Sequence, residues 1–538
     1  MESLISLKTQ SWLSWFLRGV LILGFLVLFG RLFELQIIKG NYYRSLSEGN
    51  RIRRIPITAP RGRIIARNGE ILAGNKEVQK RIIFDVLEGF EKVTDVSGAN
   101  KEDIINEWER DYHYGWKSAH ITGYLGEVSE DELGKINAQC PQKGPRKLGA
   151  LVGRSGLEQI YECILAGIDG EELVEVDTNG NKVRILGKRN PIPGEDIRTS
   201  IDVKLQEKIA DEMNGKKGAV VATDAKGNIL ALFSYPSFDP NVFISKSDKG
   251  VVEKLLTDTN LPFFNRAIGG IYHPGSVFKP VVAIAALEEG KADKNFVFDD
   301  PGIITIGTFS YSNWYFTQYG GKEGKIGITR AIARSTDTFF YKMGEILGID
   351  NLTKWAGLFK LGDITGIDLP GEIAGLVPSP EWKERVKGER WFLGNTYHVS
   401  IGQGDLALTL IAVNRAIGGI ATGKLCSPRI VGEGRCEELN IKKENLEIVK
   451  SGMVEACSAG GTGFTFFDFT PQVACKTGTA ETNIDGKTHA WFSVFTPQEF
   501  PEIVMTVLVE GGGEGSKVAG PVARNILNFW YNTGGRND

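Results

Sequence analysis

Residues 273–280 read His-Pro-Gly-Ser-Val-Phe-Lys-Pro. Pro274 and Gly275 end a loop, and Ser276 is predicted to start a helix from Val277 to about Glu289, with Pro280 tolerated in its first turn. Lys279 follows one turn after Ser276, so hydroxyl and amine share a helix face. A hydroxyl at a helix start sits in the positive end of the dipole, which favours a developing alkoxide. A lysine held beside it, desolvated and among other cations, can lose its proton and act as a base. Alone, the pair reads equally well as a capping Ser and a surface Lys, because Ser-x-x-Lys is a common pattern.

Two further elements change that balance. Ser335-Thr336-Asp337 stands 59 residues after Ser276, in ARSTDTFFYKMG. Its Ser can relay a proton between Lys279 and a leaving group, and its Asp can hold that Lys and a substrate amide. By itself Ser-x-Asp is an ordinary helix cap. Lys476-Thr477-Gly478-Thr479 stands 200 residues after Ser276, preceded by strand-like Val473–Cys475. Gly478 lets a peptide lie against the strand edge, while Lys476, Thr477 and Thr479 offer a cation and two hydroxyls to a carboxylate. The backbone N–H groups of Ser276 and Thr479 are candidates for an oxyanion hole. In this order the three form the Ser-x-x-Lys, Ser-x-Asn/Asp, Lys-Thr-Gly set of penicillin-interacting serine enzymes.

Around them the chain predicts an α+β domain. Asp202 caps a helix over Val203–Met213, and GAVVATDAKGNILALFSYP reads as two apolar strands about a turn. Gln472–Cys475, Ala490–Phe495 and Ile503–Val509 are further strand candidates, followed by a helix around Val518–Trp530. Strands at both ends of a long helical middle imply one sheet built from the first and last parts of the domain. Upstream, residues 41–75 suggest short strands and a tight hairpin at Asn68-Gly69, and a helix is predicted near Lys101–Trp108. GRSGLE (153–158) opens a helical stretch, and Asn179-Gly180 reads as a turn between strand-like runs.

With 538 residues, 63 basic and 66 acidic, the chain has a net charge of −3, which excludes a globally basic nucleic-acid binder. The exception is residues 1–75, with 11 basic and four acidic side chains around one strongly apolar segment. Trp12–Phe33 extends about 33 Å as a helix, enough for a hydrocarbon core of about 30 Å. Arg18 and Arg31 lie towards its ends, where they can snorkel, and Trp12 and Trp15 suit an interfacial belt. The absence of a small-residue cleavage site after Gly30 favours an uncleaved single-pass anchor. Basic residues are at least as frequent after the segment as before it, so the flanking charge does not set an orientation. Six Cys are too few for a disulfide scaffold. Cys426 and Cys436 are candidates for a hairpin bridge, and Cys475 should point away from the Lys476 face as a structural residue. His273 and His489 read as packing residues rather than bases, and phosphate-loop and dinucleotide fingerprints are absent.

On these motifs the sequence resembles a class B penicillin-binding protein, a monofunctional peptidoglycan D,D-transpeptidase. PRGRIIARNGEILAGN and GRSGLEQIYECILAG look like its pedestal motifs; SYPSFDPNVF, FNRAIGGIYHPGSVFKP, TGIDLPGE and WFLGNTYHVSIGQGDLALT look like its active-site surroundings. Asp337, rather than Asn, is similar to the elongation type, penicillin-binding protein 2. The resemblance implies a cytoplasmic tail (1–11), a transmembrane anchor (12–35), a β-rich elongated pedestal or dimerisation-like module (36–198), and a transpeptidase domain (199–538) with an antiparallel sheet flanked by helices. It implies Ser276, Lys279, Ser335, Asp337 and Lys476 as catalytic residues, with Thr477, Gly478 and Thr479 binding substrate and forming the oxyanion hole. It further implies an extracytoplasmic catalytic domain, stem-peptide substrates, β-lactam sensitivity and a SEDS-type glycosyltransferase partner contacted through anchor and pedestal. No cofactor is expected. Some relatives carry zinc between the first two motifs, but Val281–Arg334 holds neither His nor Cys, so no metal is expected. Ala66 replaces the acid usual before Arg67. A β-lactamase or β-lactam sensor of the same fold, and a mainly non-catalytic activator of a glycosyltransferase, are the alternative readings.

Overall fold

A computed structural model describes residues 5–85, 89–98, 104–177, 182–244, 249–482 and 486–533. The N-terminal helix spans Ile5–Phe33 and widens into a π-helical turn over Glu34–Ile38, before a second helix at Gly40–Arg51. Trp12–Ile38 is long and apolar enough to cross a membrane and buries none of its surface against the rest of the chain. That solvent-facing apolar surface is what a lipid phase requires.

The chain forms two compact units that interleave along the sequence. The first comprises residues 1–60, 77–109 and 167–193. Its antiparallel sheet pairs Ile52–Ile57 with Gly170–Val176, and that strand with Lys182–Arg189. Alternation drives the pairing: Ile55, Val174 and Val176 turn to a small core with Ile82, while charged neighbours face water. The helix predicted near Lys101–Trp108 is instead the strand Ile104–Tyr112. Its alternating burial, with Trp108 exposed and Glu107 and Tyr112 buried, outweighs the helix-favouring Glu and Trp. The Asn179-Gly180 turn lies outside the described residues.

The second unit comprises residues 61–76, 110–166 and 194–538. Its five-stranded sheet has the order Ile229–Tyr235, Gly218–Thr223, Ile503–Val509, Thr488–Thr496, Ala474–Glu481. Each of these pairs is antiparallel, and the first two strands meet the last three side by side, as the sequence pattern implies. One face packs against Val203–Met213 and Ala519–Asn532. Asp202 caps the former by accepting from the Leu205 N–H at 3.0 Å. The other face carries a larger helical core, including the buried helix Leu410–Thr422. The strands of this sheet are apolar on both faces because helices cover both. In the same unit, Gly69 (φ 91°) turns the hairpin between Ile64–Ile65 and the strand beginning at Ile71, as Asn68-Gly69 predicts.

The six cysteines form three disulfides: Cys140–Cys163, Cys426–Cys436 and Cys457–Cys475. Cys426 and Cys436 face each other across a short hairpin. Cys475 is structural, as the alternation predicts. The other partners were not legible from spacing.

Candidate active site

The edge strand Ala474–Glu481 and two helix starts build the site. Ser276 lies in a 3₁₀ turn, Gly275–Phe278, and the α-helix begins only at Lys279, ending at Glu288. The helix expected from Val277 to about Glu289 therefore opens with a 3₁₀ turn and becomes α-helical only at Lys279. Gly275 has φ 55°, and its N–H bonds the Gly402 carbonyl at 2.8 Å, an approach that tightens the entry to the helix. A side chain on Gly402 would lie 2.1 Å from the Gly275 oxygen, so only glycine fits.

Gly478 sets how near the strand comes to this turn. A Cβ there would meet the Pro274 carbonyl and Val277 Cγ1 at 3.1 Å, and Trp491 Cβ at 3.0 Å. The strand edge and the Ser276 turn therefore lie in close contact at Gly478. Ser276 itself is half-buried, so its hydroxyl remains reachable.

Lys279 is wholly buried, and its ammonium has three acceptors: Asp337 Oδ1 at 2.6 Å, the Ser335 carbonyl at 2.8 Å and Ser335 Oγ at 3.2 Å. Lys476 is also wholly buried and donates to Ser335 Oγ at 2.9 Å and the Thr477 carbonyl at 3.0 Å. One hydroxyl thus sits between two amines. Burial lowers the pKa of Lys279, with Asp337 opposing it. Lys476 is lowered further, by burial and then by the nearby Lys279 charge. Two ammonium groups around one hydroxyl, with one carboxylate between them, favour loss of a proton. The sequence reading offered Lys476 as a cation for a substrate carboxylate; its amine points instead to Ser335, leaving the exposed Thr479 as the outward group.

Ser335 has φ 55°, in the left-handed region, and is the cap of the helix Ile328–Arg334. A non-glycine residue there carries strain of about 1–3 kcal/mol, a cost found where a side chain must point one way. Asp337 then opens the helix Asp337–Leu358.

Several supports were not singled out from sequence. Asn313, fully buried, accepts from the Asp337 N–H at 3.2 Å, and the Trp314 N–H bonds Asp337 Oδ2 at 3.1 Å. Asp300 orients that segment, accepting from Thr338 Oγ1 at 2.6 Å, the Gly302 N–H at 2.8 Å and Asn313 Nδ2 at 3.3 Å. Thr477 Oγ1 bonds Thr462 Oγ1 at 2.9 Å, and Gln403 Nε2 bonds the Thr479 carbonyl at 3.4 Å. Gln403 lies in WFLGNTYHVSIGQGDLALT, but Asn313 gives only a helix-cap signal 24 residues from Asp337. His273 bonds the Leu406 carbonyl at 2.7 Å and His489 packs edge-on to Tyr272, so both act as packing residues.

Comparison with known proteins agrees with this geometry. Residues 218–528 match the penicillin binding protein transpeptidase domain, and residues 88–199 the penicillin-binding protein dimerisation domain. The chain is 31% identical to the peptidoglycan D,D-transpeptidase MrdA of Haemophilus influenzae, over 96% of this chain and 91% of that protein. It is 30% identical to the Escherichia coli K12 protein of the same name, over 95% and 92%. Among solved structures, Pseudomonas aeruginosa PBP2 superposes with a TM-score of 0.73 at 30% identity, covering 89% of this chain and 96% of that one. PBP2 of Helicobacter pylori, solved in complex with MreC, gives 0.78 at 26%, covering 90% and 99%. A chain from a peptidoglycan synthase complex gives 0.74 at 28%, covering 99% of both.

Proposed function

Because the chain belongs to the penicillin-binding transpeptidase family, of the elongation type called penicillin-binding protein 2, we propose that it is a peptidoglycan D,D-transpeptidase working through a serine acyl-enzyme in cell-wall elongation. The observation that carries this reading is the shared hydroxyl of Ser335, bonded by both Lys279 and Lys476 beside the Ser276 turn and the strand edge.

When neutral, Lys279 keeps its two shorter bonds, to Asp337 and the Ser335 carbonyl, and its lone pair takes the proton of Ser276. Ser276 Oγ attacks the carbonyl between the two terminal D-Ala residues of a stem peptide lying along Ala474–Glu481. The Ser276 and Thr479 N–H groups receive the oxyanion, and Thr479 faces the terminal carboxylate. The proton passes through Ser335 to the departing D-Ala amine as the C–N bond breaks. An amine from a second stem peptide then attacks the ester; its C–N bond forms, the bond to Ser276 breaks, and Ser276 regains a proton by the same relay. β-Lactams acylate Ser276 and stay.

The anchor reading is supported by the Trp12–Ile38 helix, and an extracytoplasmic catalytic domain by the three disulfides, which persist in oxidising compartments. Residues 1–11 are then a cytoplasmic tail, 12–35 the anchor, 36–198 the pedestal and 199–538 the transpeptidase domain. The partners are components of the cell-wall machinery, and within them a SEDS-type glycosyltransferase reached through anchor and pedestal. The test is intact mass of the full-length chain in detergent, before and after benzylpenicillin. A lasting adduct absent in Ser276→Ala is expected. No adduct with intact drug would favour a non-catalytic activator, and no adduct with rapid drug hydrolysis a β-lactamase.

A further inference from the structure

The segment between the first two motifs grips the second motif on both flanks. Before Ser335, the Arg334 side chain donates from Nε to Glu323 Oε1 at 2.8 Å, and the Arg334 carbonyl accepts from Trp314 Nε1 at 2.9 Å. Its guanidinium also lies over the Trp314 and Tyr315 rings, 5.3 and 5.2 Å from their centroids. After Ser335, Asp337 receives the Trp314 N–H on Oδ2 and gives its own N–H to Asn313 Oδ1. Thr338 gives its hydroxyl to Asp300. Ser335 is therefore anchored on each side, and its left-handed backbone is of the kind that persists only where the surroundings fix it.

The anchors after Ser335 converge on one carboxylate. Asp300 ends the strand Phe298–Asp300, which pairs with Gly324–Ile326, and only 2% of its surface is exposed. Its Oδ1 accepts from Thr338 Oγ1 and the Gly302 N–H, and its Oδ2 from Asn313 Nδ2 and, at 2.9 Å, the Glu323 N–H. The Gly302 carbonyl in turn accepts from the Asn313 N–H at 2.8 Å. All four donors to Asp300 are neutral. A buried carboxylate bonded only to neutral groups is costly unless its oxygens are fully satisfied. An amide could not stand in for it, because Asn has one accepting oxygen where these donors occupy two. The acylation steps leave this buried charge without a role.

We propose that Asp300 is a positioning residue for acylation: through Thr338 and Asn313 it fixes the Asp337 carboxylate against Lys279 and so tunes the base. This rests on the transpeptidase reading and adds to it a residue outside the three motifs. The groups facing Lys279 are Asp337, Ser335, Lys476 across the shared hydroxyl and the Phe340 ring at 5.2 Å. Of these only Asp337 carries an opposite charge. A loosened Asp337 holds the ammonium less firmly, so Lys279 gives up its proton more readily and the rising limb of acylation moves to lower pH.

The test is the second-order rate of acylation by a fluorescent penicillin from pH 5 to 10, on the full-length chain in detergent. Asp300→Asn should move the limb down by about 0.5–1 pH unit and slow acylation on its plateau about fivefold or more, the cost of a misplaced catalytic contact. Thr338→Val keeps the side-chain shape and should move the limb the same way by less, while Thr338→Ser should leave it in place. On an Asp337→Asn background, Asp300→Asn should produce no further shift, because the carboxylate it positions is gone. A smaller folded fraction would scale the rate equally at every pH and leave the limb where it was. A limb that coincides with wild type in both Asp300→Asn and Thr338→Val overturns the positioning role, as does a shift of full size on the Asp337→Asn background. If Asp300→Asn does not fold, Thr338→Val against Thr338→Ser decides. Absence of any penicillin adduct on the wild type overturns the transpeptidase reading, and the positioning role with it.

Discussion

Replacing Asp337 by Asn tests which group holds Lys279 charged. The carboxylate oxygen lies 2.6 Å from the ammonium, where two unit charges at an effective dielectric of 20 attract by about 6 kcal/mol. Asn keeps a neutral hydrogen bond, and a charge-assisted bond exceeds a neutral one by roughly a factor of two, so the differential loss is nearer 1.5–3 kcal/mol. At 1.36 kcal/mol per pKa unit, this lowers the Lys279 pKa by about one to two units beyond the lowering that burial already produces. The sign follows from the base role: neutral Lys279 is the active form, so acylation rises with pH through the Lys279 pKa. In the wild type that limb lies below the ordinary lysine value of 10.5, and in Asp337→Asn it moves to lower pH still. The assay is the second-order rate of acylation by a fluorescent penicillin from pH 5 to 10. A limb that stays in place or moves upward would refute the assignment of Lys279 as the base restrained by Asp337.

Three other perturbations follow from the same geometry. Ser335→Gly and Ser335→Ala both remove the hydroxyl and should lower acylation at least about a hundredfold, the scale of a lost proton relay. Ser335→Gly should nevertheless be more stable than Ser335→Ala by about 1–2 kcal/mol in denaturant unfolding, because only glycine accepts φ 55° freely. Gly478→Ala places a methyl 3.1 Å from Pro274 and Val277, so the Ser276 turn must retreat; we expect about 1–3 kcal/mol of destabilisation and acylation at least tenfold slower. Removing the Cys457–Cys475 bridge frees an 18-residue separation next to Lys476 and should cost about 3 kcal/mol, read as a lower midpoint in thermal unfolding; an unchanged midpoint would show the strand is held without it.

The sequence alone determined the local chemistry. The Ser276 loop, the Asp202 cap, the Asn68-Gly69 hairpin and the individual strands each depend on residues a few positions apart, through turn geometry, capping and alternation. The three motifs at Ser276, Ser335 and Lys476 were also legible, because each has a residue pattern of its own. Where local signals compete, the reading failed: Ile104–Tyr112 carries helix-favouring residues but pairs as a strand, while the helix expected after Ser276 forms but begins with a 3₁₀ turn. Only tertiary structure decided that Lys279 and Lys476, 56 and 141 residues from Ser335 in opposite directions along the chain, converge on its hydroxyl. The same holds for the pairing of Cys457 with Cys475, and for Asp300 and Asn313 bracing Asp337. Those contacts close long loops, and they form because the sheet joins the first and last strands of the domain and the helices on its faces bury their apolar surface. The sequence pattern placed the strands in one sheet, but residue spacing carries no information about which side chains converge across it, so the three motifs were visible while the arrangement around Ser335 was not.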